Sequence, residues 1–267
     1  MSQPKRDGIG NILLVAVSVC LVCSILVSGA AVALKPVQKT NRVLDQKKNV
    51  LIAAGLLAEG ATADGEGRGV ETLFADFETR VVDLRTGRYA DDVDAQNFDQ
   101  LRTAADPSRS TALATEEDPA TIKRLEHYGL VYLKRDARGA IETAVLPIRG
   151  YGLWGTLYGY LALDSDLETV AGIGFYQHKE TPGLGGEVEN PRWKAQWAGV
   201  SLFGDDGSPA VALVKGKAPE GSSARSHQVD ALSGATMTSR GVQNLVNFWV
   251  GERGYGTWLE NLRGGRV

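Results

Sequence analysis

Asp230-Ala231-Leu232-Ser233-Gly234-Ala235-Thr236, followed at once by Met237-Thr238-Ser239, is the stretch from which the rest of the chain is read. Small residues at Ser233, Gly234 and Ala235 let the backbone come close to a ligand. A helix period follows, with Val242, Leu245, Val246 and Trp249 at i, i+3, i+4 and i+7. A tight turn feeding a helix leaves open N–H groups and a positive dipole end, which suits a phosphate. Thr236 places a hydroxyl at that spot. The same spacing is also read as an ordinary helix start, with Thr238 or Ser239 as the capping residue.

Upstream, Val211 to Val214 reads as a strand, and Lys215 and Lys217 stand where they offset phosphate charge or are simply solvated. Asn190-Pro191 opens a short helix carrying Trp193 and Trp197. Before it lies His178-Lys179-Glu180-Thr181-Pro182-Gly183-Leu184-Gly185-Gly186, in which Pro182-Gly183 has the order of a type II turn. G-x-G-x-x-G is not present, so this glycine cluster alone is a weak phosphate signal. Val170 to Gln177 reads as a strand. Gly152 to Leu163, dense in aromatic residues and glycine, reads as a strand whose glycines mark close approach by a backbone or a ligand. Leu130 to Leu133 and Ile141 to Ile148 make a hairpin about Asp136-Ala137-Arg138-Gly139. Strands with helices on either side of them in sequence point to an α+β domain rather than a doubly wound sheet. Tyr255 to Leu262 offers a last short helix.

Toward the N-terminus, Arg88 to Lys123 is polar and weakly periodic, with Asp106-Pro107 and Asp118-Pro119 as breakers. Val70, Leu73, Phe74, Phe77 and Val81 have the spacing of an amphipathic helix. From Pro36 through Leu57 a further helix is expected, with Val50, Leu51, Ala54 and Leu57 on one side. Ile12 to Leu34 is free of charge over about 23 residues, enough to cross a bilayer and longer than a signal-peptide core. The expected organisation is a tail (1–11), a transmembrane helix (12–34), a helical and irregular accessory region (35–123) and an α+β domain (124–267).

A net charge of -3 gives no electrostatic reason to expect nucleic acid. Cys20 and Cys23, both within the apolar run, are the only cysteines, so the part beyond it has no disulfide framework and no thiolate metal site. They read as packing residues, with half of a metal site as the alternative. His127, His178 and His227 are far apart in sequence, and no metal site is expected.

Asp-x-x-Ser-Gly-Ala-Thr resembles the signal at which a periplasmic flavin transferase joins FMN, through its phosphate, to the last Thr. The resemblance makes Thr236 the acceptor, with Asp230, Ser233, Gly234 and Ala235 completing the motif and Thr238 and Lys215 beside it. Glu180-Thr181-Pro182-Gly183-Leu184-Gly185 resembles the flavin-binding loop of the same proteins. It implies Leu184 over a ring face, Thr181 at the ring edge, and His178 and Glu180 as candidates for proton exchange. With the apolar run, Lys47-Lys48-Asn49-Val50-Leu51 and the Gly152 to Leu163 run in fixed order, the chain is similar to the NqrC family, the flavin-bearing subunits of Na+-translocating NADH:quinone oxidoreductases. That family implies a covalent FMN passing single electrons between other redox subunits of a Na+-exporting complex, with no residue catalytic in the bond-making sense. NADH would be oxidised elsewhere, since no Rossmann fingerprint is present. The alternatives are the flavin subunit of an Rnf-type complex, or an anchored FMN-binding sensor or assembly protein. Lys35, Lys39, Arg42, Lys47 and Lys48 against Lys5 and Arg6 would by charge keep the large domain in the cytoplasm. The motif implies the periplasmic side of the inner membrane, and the motif is preferred.

Overall fold

The computed structural model describes residues 8–216 and 220–266. The chain forms two compact units, one up to Gln46 and one from Lys47 onward. Helix α1 (Ile9–Ala53) has 45 residues and contains Pro36 in its interior. It is long and apolar enough to cross a membrane, and its apolar side chains from Ile9 to Val43 are exposed. The expected break at Pro36 is therefore absent, and the helix stops before Leu57. Its end is a Schellman motif: Gly55 (φ +72°) closes it, with Leu56 N–H donating to Leu51 O and Gly55 N–H to Ile52 O.

A second correction follows directly. Val70, Leu73 and Phe74 belong to a short helix, α2 (Val70–Phe74), but Phe77 and Val81 lie on strand β1 (Phe77–Asp83). A separation of four places two residues on the same side of a helix and of a strand alike. Val81, Val82 and the long antiparallel ladder then favour the strand. The chain continues through β2 (Arg88–Tyr89), α3 (Gln100–Ala105), β3 (Ser110–Ala112) and β4 (Arg124–Glu126). Next come β5 (Tyr128–Arg135), β6 (Ile141–Tyr151), β7 (Thr156–Leu163) and β8 (Val170–Gln177). The main sheet has six antiparallel strands in the order β2-β1-β5-β6-β7-β8. The hairpin at Asp136–Gly139 forms as expected, with Gly139 at φ +84°. Gly152–Gly155 is not strand but the turn joining β6 to β7.

The last third adds α4 (Pro191–Lys194), β9 (Ala212–Val214), β10 (Gln228–Asp230), α5 (Thr236–Val250) and α6 (Thr257–Arg263). β9 and β10 pair in parallel, and β10 carries no strand signal in the sequence. Between α5 and α6, Glu252–Gly256 forms a π turn. Helix α5 lies on β6 so closely that a Cβ on Gly150 would fall 2.4 Å from Leu245 Cβ. Leu133, Leu146, Leu161, Leu163, Leu245 and Trp249 are sealed in that layer. On the other side of the sheet, Tyr132 meets Phe74 and Tyr160 with ring centres 5.9 and 6.0 Å apart. The result is an apolar helix followed by a mixed α+β domain.

Candidate functional site

The site is organised by one carboxylate. Glu180, three residues beyond β8, is only 5% exposed. Its Oε1 accepts the N–H groups of Leu153 (3.0 Å) and Trp154 (2.9 Å), in the β6–β7 turn. Its Oε2 accepts the hydroxyl of Thr238, in the first turn of α5. Three segments distant in sequence thus meet at a single side chain. Gly185 completes this packing, since a Cβ there would lie 2.6 Å from both Glu180 Oε2 and Thr238 Oγ1.

The loop after Glu180 turns as its sequence predicts. Leu184 N–H donates to Thr181 O (3.1 Å), and Gly183 takes φ +75°, the value needed at the third position of a type II turn. The turn lifts Leu184 into solvent, 45% exposed, and sets it against Gly234. A Cβ on Gly234 would stand 3.1 Å from Leu184 Cδ2, and its φ of +74° also favours glycine. The two glycine-rich stretches are therefore in contact.

Helix α5 begins at Thr236 itself, which is exposed, while Ala235 occupies the cap position and no side chain caps the terminus. Capping by Thr238 or Ser239 is thereby corrected: both lie one turn inside and are buried. Thr238 is spent on Glu180. Ser239 Oγ accepts Leu232 N–H (2.9 Å) and donates to Ala235 O (3.0 Å), which fixes the Ser233–Ala235 turn from within. The helix start therefore keeps open N–H groups beside the exposed hydroxyl of Thr236.

Asp230 ends β10 opposite Val214; its carbonyl accepts Trp193 Nε1–H at 2.8 Å, and its side chain faces outward. Lys215 follows Val214 and is exposed; Lys217 lies outside the described residues. His178 Nδ1 accepts the Glu180 N–H (3.1 Å), and its Nε2 stands 3.0 Å from Glu189 Oε1 without the alignment of a hydrogen bond. The structure thus gives His178 and Glu180 internal partners. It brings Glu180, Thr181, Gly183, Leu184, Gly185, Gly234 and Thr238 together, with Ser233, Ala235 and Thr236 in the adjoining turn. Asp230 ends the β9–β10 ladder that leads into it, and Lys215 lies one residue beyond that ladder.

Sequence reading missed four exposed apolar residues at this place: Tyr151 (42%), Leu153 (42%), Trp154 (63%) and Met237 (51%). The available signal was Gly152-Leu153-Trp154-Gly155, two large apolar residues bracketed by glycines, which is a turn that displays its side chains rather than a buried strand. The arrangement pairs an uncapped helix terminus, suited to a phosphate, with Leu153 and Leu184, suited to the faces of a planar ring. These residues fit a flavin mononucleotide. Among the described residues, no group of three or more His, Cys, Asp or Glu is placed to hold a metal.

A family model described as "FMN-binding domain" matches residues 152–251. The chain is 52% identical to the NqrC protein of the Na+-translocating NADH-quinone reductase of Pseudomonas aeruginosa, over 98% of this chain and 99% of that protein. The Yersinia pestis NqrC protein is 46% identical over 98% and 96% of the two chains. Among solved structures, Shewanella oneidensis NqrC superposes with a TM-score of 0.73 at 36% identity, covering 82% of this chain and 97% of that one. The corresponding protein from Parabacteroides distasonis gives a TM-score of 0.63 at 28% identity, covering 85% and 96%.

Proposed function

Because the chain belongs to the NqrC family of Na+-translocating NADH-quinone reductase subunits, we propose that it carries FMN covalently on Thr236 and relays single electrons between other redox subunits. The observation that carries this reading is the exposed Thr236 hydroxyl at an uncapped helix start, with Leu184 resting on the turn before it. Attachment would form a bond from Thr236 Oγ to the flavin phosphorus while the P–O bond to the departing phosphate of an activated flavin nucleotide breaks and the hydroxyl proton is lost, a step left to a separate flavin transferase. The open N–H groups of α5 and its dipole hold the phosphate, with Ser233, Gly234 and Ala235 allowing close approach and Lys215 and Asp230 flanking it. Leu184 and Leu153 cover the ring, and Thr181, Gly183 and Gly185 shape its edge. FMN supplies the electron chemistry when bound; the protein tethers it, orients it and limits water around it.

The same reading makes residues 12–34 of α1 a single transmembrane anchor in a bacterial inner membrane, with the flavin part on the periplasmic side where the transferase acts. The division into an accessory region (35–123) and a flavin-binding part (124–267) belongs to this proposal, with β1 and β2 as the accessory region's contribution to the sheet. The names of the relatives favour this complex over the Rnf-type one.

Peptide mass spectrometry on the full chain co-expressed with a periplasmic flavin transferase tests the reading. Trypsin releases Ser226 to Arg240, and an added mass of FMN minus water, placed on Thr236 by fragmentation, is the expected result. An unmodified peptide, or a label on Thr238, would overturn the assignment.

A further inference from the structure

A second polar site lies between α3 and the β6–β7 pair. Leu101, Ala104 and Ala105 of α3, with Ile122, form one wall of an open cleft, and Lys123, Arg124, Arg149 and Tyr158 line the rest. Three of these eight residues are cations, and no carboxylate lines the cleft. Arg149 is only 7% exposed. Its Nη2 donates to Glu126 Oε2 (2.6 Å) and Arg124 O (3.0 Å), while Nη1 is buried and has no partner among the described residues. The guanidinium carbon stands 5.4 Å from the centre of the Trp249 ring, but among the described residues Nη1 still lacks a hydrogen-bond acceptor, which is costly for a buried donor.

The neighbouring groups have spare donors as well. Among the described residues, Tyr158, the cross-strand partner of Arg149, makes no hydrogen bond through its hydroxyl and Lys123 makes no ion pair. Thr121 and Lys123 hold positive φ values of 53° and 65°. Asp118 pins that backbone by accepting the Ile122 and Lys123 N–H groups at 2.9 and 2.6 Å, so its oxygens face the backbone. Arg124 is fixed in turn by Ser110, through Nε to Oγ (2.9 Å) and Nη2 to the carbonyl (2.8 Å). Fixed cations, a free phenol and an orphaned guanidinium nitrogen match the oxygens of a phosphate-type anion.

We propose that this cleft binds a small oxyanion of the phosphate class, held by Arg149, Lys123 and Tyr158. Calorimetric titration of the full chain in detergent with inorganic phosphate, at constant ionic strength set with chloride, tests it. Saturable binding is expected, weakened at least about tenfold by Lys123→Gln and by Tyr158→Phe, each of which removes one donor to a charged group. Arg149→Gln would leave Glu126 buried without its cation, so the two lining variants, which touch no core partner, give the decisive readout. If a short-chain phosphatidylglycerol binds at least about tenfold tighter than phosphate and is weakened by the same two substitutions, the site stands with a lipid headgroup as the source of the anion. Two results would overturn the proposal. One is no saturable binding of either probe, which assigns Arg149 Nη1 to a buried water. The other is binding indifferent to both substitutions, as expected of phosphate held at the start of α5.

Discussion

Glu126 and Glu180 are both withdrawn from water, at 1% and 5% exposure, yet their oxygens are satisfied in different ways. Glu126 sits in the core and takes a charged partner, Arg149 Nη2 at 2.6 Å, and the Gln100 amide at 2.8 Å. Burial pushes its carboxyl pKa up, while Arg149 and Gln100 act against that rise. Gln100 also donates to Tyr255, whose hydroxyl donates to Leu130 O, so the cluster ties α3, β4, β5, β6 and the π turn together. Among the described residues Glu180 takes no cation: two backbone N–H groups and one hydroxyl satisfy it, all from segments that border the candidate site. The first carboxylate fastens the fold, and the second fastens the site. Stability and flavin order should therefore respond to different residues.

The largest expected effect is on flavin alone. Thr236→Val should take covalent FMN from full occupancy to none, read by in-gel fluorescence, with the melting temperature of the apoprotein unmoved. Retained fluorescence would shift the acceptor elsewhere and detach this end of α5 from the site. Glu126→Ala should do the reverse. It strands Arg149 in the core and should cost about 3–5 kcal/mol in chemical denaturation, while the folded fraction still accepts flavin. A loss below about 1 kcal/mol would erase the distinction drawn between the two carboxylates.

Glu180→Gln should be milder for the fold, about 1–3 kcal/mol, because an amide keeps one acceptor but meets Thr238 with the wrong group. Hydrogen exchange at the Leu153 and Trp154 amides should quicken beyond the global change, whereas uniform quickening would make Glu180 a general stability residue. Leu184→Ala should shift stability by no more than about 0.5 kcal/mol, since the side chain is half exposed. Its signature should be a change in flavin circular dichroism or midpoint potential, and an unchanged flavin would remove Leu184 from the ring.

The helix at Thr236 and the strand before His178 were legible because a periodic local pattern fixes them. Pro182-Gly183 was legible for a related reason: residue i+2 of a type II turn needs positive φ, and glycine adopts it at little cost. Thr238, Ser239 and the Gly152–Gly155 turn were misread because their roles are set by partners far along the chain. Thr238 has the chemistry of a cap, but Glu180 reaches it across 58 positions. Trp154 has the composition of a strand residue, but Glu180 holds its N–H in a turn.

By itself the sequence determined an apolar helix long enough for a membrane, an α+β domain, and a small-residue turn that runs into the helix starting at Thr236. Those rest on length, period and backbone preference, all of which act between near neighbours. Tertiary structure alone decided that Phe77–Asp83 is a strand, because spacing by four suits both periods until β5 supplies the ladder. It also decided that two glycine loops touch, and that one carboxylate joins three segments. Which distant groups meet depends on how the sheet and α5 pack, and short-range spacing carries no record of that.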